Sequence, residues 1–231
     1  MDPNWMKALD TLLQSLYYYY SLSLLNSIIY FSSLVFPFLP NYTTKKLHKI
    51  HSRKTLVLDL DETLVHSNLD GFGSHDFLVE VLLDKHVCLY YVYKRPYCDL
   101  FLKKVSEWFK IVIFTYLSTH LNHSASVPEY ADPVIDWLDP TRTLISKRYF
   151  RDSCVPSRGS FMKNLELVEP DLSKVILLDN SDFCFTLNPD NGIPIETWTQ
   201  DSSDQCLLDL LPLLDALRFT KDVRSVLSLR G

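Results

Sequence analysis

Three short runs of strand-forming residues, far apart in the chain, each finish on polar side chains. Thr55-Leu56-Val57-Leu58 runs into Asp59, Ile111-Val112-Ile113-Phe114 into Thr115, and Val175-Ile176-Leu177-Leu178 into Asp179-Asn180. Apolar runs of this length, without polar alternation, fit strands buried on both faces, the condition of a parallel sheet covered on each side. In open α/β sheets ligands bind outside the carboxyl ends of the strands, so three ends remote in sequence can converge on one site. From Lys54 onward short apolar runs alternate with amphipathic segments, and the expectation is an α/β domain with a Rossmann-like parallel sheet and a polar cluster at its carboxyl end.

Between the first two runs lie two extended stretches, 77–83 and 87–93, joined by Asp84-Lys85-His86. They read as a small β-hairpin flap near the site. Pro96 should open a helix through Leu100, Phe101, Val105, Trp108 and Phe109, and residues 130–138 should form the next, before Pro140. Near the C-terminus Ser202-Ser203-Asp204 should cap a leucine-rich helix that is interrupted at Pro212 and continues to Leu217. Thr220 is the expected N-cap of a last short helix containing Val223, Val226 and Leu227.

Composition removes several function classes. A net charge of -5 supplies no basic field for nucleic acid, so no nucleic-acid partner is expected. The five cysteines are odd in number, dispersed and never in a Cys-x-x-Cys pair, which argues against a disulfide framework or a zinc site. Five glycines form no phosphate-cradling loop, and seven histidines include no His-Glu-x-x-His. Phosphate chemistry in this chain therefore falls to carboxylates and a metal.

No charged residue separates Asp10 from Lys45, and the stretch between them is dense in Leu, Tyr, Ile and Phe. A helix of about 20 apolar residues spans a hydrocarbon layer of about 30 Å. Acidic Asp2 and Asp10 precede the stretch and bulky Val35-Phe36-Pro37-Phe38 lies near its end, unlike a cleaved signal peptide. Residues 1–44 are thus expected to be a membrane anchor built on one membrane-associated helix. A buried core helix or an interfacial hairpin is the alternative, because Asn26, Ser32 and Ser33 weaken a span. Lys45, Lys46, Lys49, Arg53 and Lys54 follow. Residues 45–53 read as a basic juxtamembrane linker, which places the 54–231 domain on the cytosolic or nucleoplasmic side.

Asp59 and Asp61 stand two apart where a strand gives way to a loop, so both carboxylates can face one cavity while Leu60 points elsewhere. An ionised Asp59 repels a phosphate dianion, and a hard cation between them removes that obstacle. Mg²⁺ suits the position because it accepts one or two carboxylates and keeps several waters. Asp59, the main-chain carbonyl of Asp61 and the side chain of Asn180 would be its protein ligands, with Asp179 supporting the site. Attack by Asp59 would give an aspartyl phosphate. Asp61 would protonate the leaving oxygen and then deprotonate the attacking water, and Thr115 and Lys163 would bind the equatorial phosphoryl oxygens.

The run Asp59-Leu60-Asp61-Glu62-Thr63-Leu64-Val65-His66-Ser67 resembles the first signature of haloacid-dehalogenase (HAD) type phosphatases that act on the RNA polymerase II tail and their relatives. Lys94-Arg95-Pro96, Phe114-Thr115, Phe161-Met162-Lys163-Asn164-Leu165 and Leu178-Asp179-Asn180-Ser181 are similar to further signatures, in order. The resemblance implies a HAD-like fold, protein phosphatase activity, and phosphate or substrate contacts from Thr63 and Arg95, although Arg95 has capping of the hairpin as its other reading. Asp190-Asn191-Gly192-Ile193-Pro194-Ile195, the segment around Pro212 and the apolar N-terminus resemble the Dullard or nuclear-envelope branch. That branch implies a membrane-bound Ser/Thr phosphatase acting on a lipin-type phosphatidate phosphatase at the nuclear envelope or endoplasmic reticulum, with a small transmembrane regulatory subunit. Family members pass from Phe-Thr directly to Ala-Ser, whereas residues 116–124 intervene here. Two rivals stand beside this reading: a soluble polymerase-tail phosphatase, and a non-catalytic HAD-like subunit of the mitochondrial inner-membrane import machinery. The intact Asp59, Asp61, Lys163, Asp179 and Asn180 weigh against the second rival.

Overall fold

The computed structural model describes residues 53–71, 74–83, 86–116 and 127–230. The expected anchor, most of the basic linker and all but Tyr116 of the 116–124 segment lie outside these residues. Among the described residues no helix is long and apolar enough to cross a membrane.

The three apolar runs form adjacent strands. In chain order the strands are β1 (Thr55–Leu58), β2 (Val65–Asn68), β3 (Phe77–Leu83), β4 (His86–Lys94), β5 (Lys110–Phe114), β6 (Ile145–Tyr149), β7 (Val155–Ser157), β8 (Ser160–Met162), β9 (Val175–Asp179) and β10 (Gly192–Pro194). Helix α1 (Cys98–Trp108) precedes β5 and α2 (Val127–Leu138) precedes β6, while α3 (Cys206–Leu217) and α4 (Arg224–Leu227) close the chain. The main sheet has the order β10-β9-β1-β5-β6 and is parallel throughout. Every residue of β1 and β9 is buried, as the uninterrupted apolar runs require.

Alternation along the strands divides the core in two. Leu56, Leu58, Ile111, Ile113, Ile176 and Leu178 pack with the buried faces of α1, α2 and α3. Val57, Val112, Phe114, Val175 and Leu177 point the other way, onto Cys154, Leu165, Cys184 and Phe185. That second face is covered by the region of the β7–β8 hairpin and by short 3-10 turns, so the buried α-helical residues gather on one side of the sheet.

The flap has three strands where two are expected. β2 joins the hairpin in an antiparallel sheet of order β2-β4-β3. The flap docks on α2 through Phe77 stacked on Trp137 at 5.0 Å and Tyr90 tilted on Tyr130 at 5.2 Å. Two C-terminal expectations are corrected. Helix α3 runs through Pro212 without interruption, because Pro212 lies on the exposed side, where the carbonyl it leaves free can be solvated. Val223, not Thr220, is the N-cap of the last helix: the Asp222 carboxylate accepts from the Arg224 amide, while the Thr220 hydroxyl donates back to the Leu217 carbonyl.

Candidate active site

The turn after β1 builds the site. The Asp59 amide donates to the Leu178 carbonyl, and the Leu64 and Val65 amides both donate to the Leu60 carbonyl. Glu62 takes a left-handed conformation with φ 57°, which folds the chain back toward the flap. Leu60 is buried in the core, and Asp59 and Asp61 are left facing the carboxyl end of the sheet.

Lys163 arrives from outside the main sheet. The β7–β8 hairpin turns at Arg158 and Gly159, both with positive φ (49° and 80°), the geometry of a tight two-residue turn. It delivers Lys163, 0% exposed, to a position where Nζ donates to Asp59 Oδ1 and to Asp179 Oδ2, each at 2.6 Å. Burial works against the charge of Lys163, yet Asp179 and Asp59 outweigh it and hold the ammonium above the ordinary lysine range. Burial pushes the Asp59 carboxyl well up, and Asp179 and Asp61 push the same way against the pull of Lys163. The Asp61 carboxyl is raised to about 7, first by burial and then by Glu62, while hydrogen bonds from Tyr130 and Thr115 oppose the shift. An aspartate of this kind can hold a proton at neutral pH and give it up again, as an acid and base in turn must.

Three buried carboxylates, Asp59, Asp61 and Asp179, thus face one buried ammonium. This surplus of hard oxygen donors fits a cation such as Mg²⁺, with Asp59, the Asp61 carbonyl and Asn180 available to hold it. Asn180 Nδ2 donates to Thr197 Oγ1, and its Oδ1 accepts from the Thr63 hydroxyl at 3.3 Å. No cluster of three or more His, Cys, Asp or Glu suited to a metal occurs among the described residues. A small protein share and a largely retained water shell are what Mg²⁺ commonly takes.

The expected residues are mostly brought together. Thr115 follows β5 directly and places Oγ1 3.3 Å from Asp61 Oδ2. Asp179 ends β9, beside Asp59. Two residues differ from expectation. Thr63 spends its hydroxyl on Asn180, so it orients that amide. Arg95 is buried, its Nε and Nη2 forked onto Asp204 at 2.8 and 2.7 Å and its Nη1 on the Thr63 carbonyl at 3.2 Å. Of its two readings, phosphate contact gives way to a structural clamp, since a bidentate carboxylate partner occupies the guanidinium. His66 makes a local contact, with Glu62 at 3.2 Å. Tyr130 and Ser67, whose side chains reach Asp61 directly or through one another, had no signal in the sequence.

Comparison with known proteins bears on this geometry. The family model of NLI interacting factor-like phosphatases matches residues 54–224. CTD nuclear envelope phosphatase 1 of Xenopus tropicalis is 47% identical over 184 residues, covering 76% of this chain and 72% of the relative. Nuclear envelope morphology protein 1 of Saccharomyces cerevisiae is 42% identical over 204 residues, covering 80% of this chain and 44% of its own. Among solved structures, Fcp1, described as an essential RNA polymerase II CTD phosphatase, aligns with a TM-score of 0.53 at 21% identity, over 76% of this chain and 51% of that one. The last likeness shows a shared α/β fold. The family match runs from the first strand to the start of the last helix, with Asp59, Asp61, Lys163 and Asp179 inside it, and the chain accordingly belongs to the NLI interacting factor-like phosphatases.

Proposed function

We propose that this chain is a Mg²⁺-dependent protein serine/threonine phosphatase that works through a phosphorylated Asp59. One observation carries the reading: Asp59 and Asp61 share one turn, with Lys163 2.6 Å from Asp59 and Thr115 3.3 Å from Asp61. Asp59 attacks phosphorus as the bond from phosphorus to the serine or threonine oxygen breaks, and Asp61 gives that oxygen its proton. Water then attacks the aspartyl phosphate and loses a proton to Asp61, and the bond from phosphorus to Asp59 breaks to release inorganic phosphate. Lys163 and Thr115 hold the equatorial oxygens. Mg²⁺, when bound by Asp59, the Asp61 carbonyl and Asn180, supplies positive charge between the carboxylate and the phosphate.

The phosphoprotein substrate in this reading is a lipin-type phosphatidate phosphatase at the nuclear envelope or endoplasmic reticulum, met beside a small transmembrane regulatory subunit. The Dullard-branch resemblance supports the substrate and subunit, and relatives named for the nuclear envelope at 42% and 47% identity support the location. The polymerase-tail reading rests on a likeness of 21% identity and stands behind it.

Phosphate release by the full chain from a phosphoserine peptide tests the mechanism. Chelation should stop turnover, Mg²⁺ should restore it, and Ca²⁺, with its larger and looser shell, should restore it poorly. Asp59→Asn should lower turnover by ~10⁴-fold or more, and a residual above about one per cent overturns the assignment of the nucleophile. Full activity in chelator overturns the metal.

A further inference from the structure

Tyr130, in the first turn of α2, is fully buried. Its hydroxyl lies 2.8 Å from Asp61 Oδ1 and 2.8 Å from Ser67 Oγ in β2. The other oxygen of Asp61, Oδ2, accepts from the Thr115 hydroxyl at the longer distance of 3.3 Å. A phenol has one proton and cannot donate to both neighbours. One arrangement gives each group a partner and leaves the carboxylate accepting: Ser67 donates to Tyr130, and Tyr130 donates to Asp61 Oδ1. With Oδ1 committed to the shorter bond, and the Thr115 hydroxyl turned to a phosphoryl oxygen in the proposed mechanism, a proton carried by Asp61 resides on Oδ2.

We propose that Tyr130 is a positioning residue that fixes the transferable proton of Asp61 on Oδ2, the oxygen beside Thr115, with Ser67 of the flap holding Tyr130 in its donor orientation. The proposal rests on the acid role assigned to Asp61 above. As Asp59 bonds to phosphorus and the bond to the substrate oxygen breaks, the electron pair stays on that oxygen, which takes the Oδ2 proton. Asp61 becomes a carboxylate, and the hydrogen bond from Tyr130 strengthens because its acceptor is now charged. Such an interaction, stronger after transfer than before it, accelerates the step instead of merely tightening substrate binding.

The leaving group separates positioning from structure. A serine alkoxide needs a proton to depart, whereas p-nitrophenolate leaves without one. The parameter kcat/KM covers steps through departure of the first product, so it isolates this dependence from the later hydrolysis. Tyr130→Phe keeps the ring against Tyr90, at 5.2 Å, and removes only the hydroxyl. In the full chain it should lower kcat/KM for a phosphoserine peptide about tenfold or more and retain most of kcat/KM for p-nitrophenyl phosphate. Ser67→Ala should show the same selectivity in weaker form, and it decides the matter if the phenylalanine variant does not fold. Equal losses on both substrates, or no loss on either, overturn the proposal. Asp61→Asn is the reference. If it reduces both substrates equally, the acid role itself fails and the positioning role with it.

Discussion

Lys163 has no contact with solvent and two carboxylates at 2.6 Å, so its removal tests a buried ion pair at the residue scale. Lys163→Met leaves Asp59 and Asp179 with no cation between them, and breaking a buried pair from one side costs about 3–5 kcal/mol. Urea denaturation should register that loss, and adding Asp179→Asn to the same chain should recover part of it. A double variant as unstable as the single one would show that the cost lies elsewhere than in uncompensated charge. Arg95 and Asp204 give a pH-dependent counterpart. The Asp204 carboxyl is held below its ordinary value, chiefly by hydrogen bonds from Arg95 and against the effect of burial. A depressed carboxylate contributes its full stability above the unfolded value of about 3.9 and loses it as pH falls through the folded value. Asp204→Asn should therefore be less stable at neutral pH and show a flatter acid limb, and an acid limb as steep as the wild type's would remove this pair from the account. Asp59, Asp61 and Asp179 were legible because each stands at or just beyond the end of an apolar run. Arg95 was not, because the partner that occupies it is 109 residues away in sequence.

Among elements, β10 is set tightly against Phe185. A Cβ added at Gly192 would come within 2.4 Å of Phe185 Cδ1, so Gly192→Ala must displace a ring packed under the edge of the sheet. Overpacking of this kind costs about 1–3 kcal/mol. A thermal melt should show the loss, and Phe185→Leu in the same chain should relieve it. If the single variant melts with the wild type, the ring has room that the packing does not suggest. The same element shows why some strands escaped the sequence reading. β10 is three residues long and ends in Pro194, which an edge strand tolerates. β6 reads Ile-Ser-Lys-Arg-Tyr, mostly polar because it is the opposite edge of the sheet. β2, with His66 and Asn68 among its four residues, exists by pairing with β4 and carries little apolar signal of its own. Strands β1, β5 and β9 were legible because they are central, and centrality is what makes a run continuously apolar.

For the whole molecule, the charge-free stretch between Asp10 and Lys45 predicts where the catalytic domain is held. The full chain should stay with membranes through an alkaline carbonate wash, and its release would refute a span. The strand order carries a different consequence. β1 sits between β5 and β9, so the turn carrying Asp59 and Asp61 meets Thr115 and Asp179 only after two parallel crossovers have closed. Non-local pairings of this kind form slowly. On the ribosome, synthesis at ~5–20 residues per second separates the emergence of Asp59 from that of Asp179 by on the order of ten seconds. For most of that interval the nascent chain exposes the proposed nucleophile with neither Lys163 nor Asp179 to complete it, and a chain released before β9 lacks the Asp179 partner however well its first strands have folded.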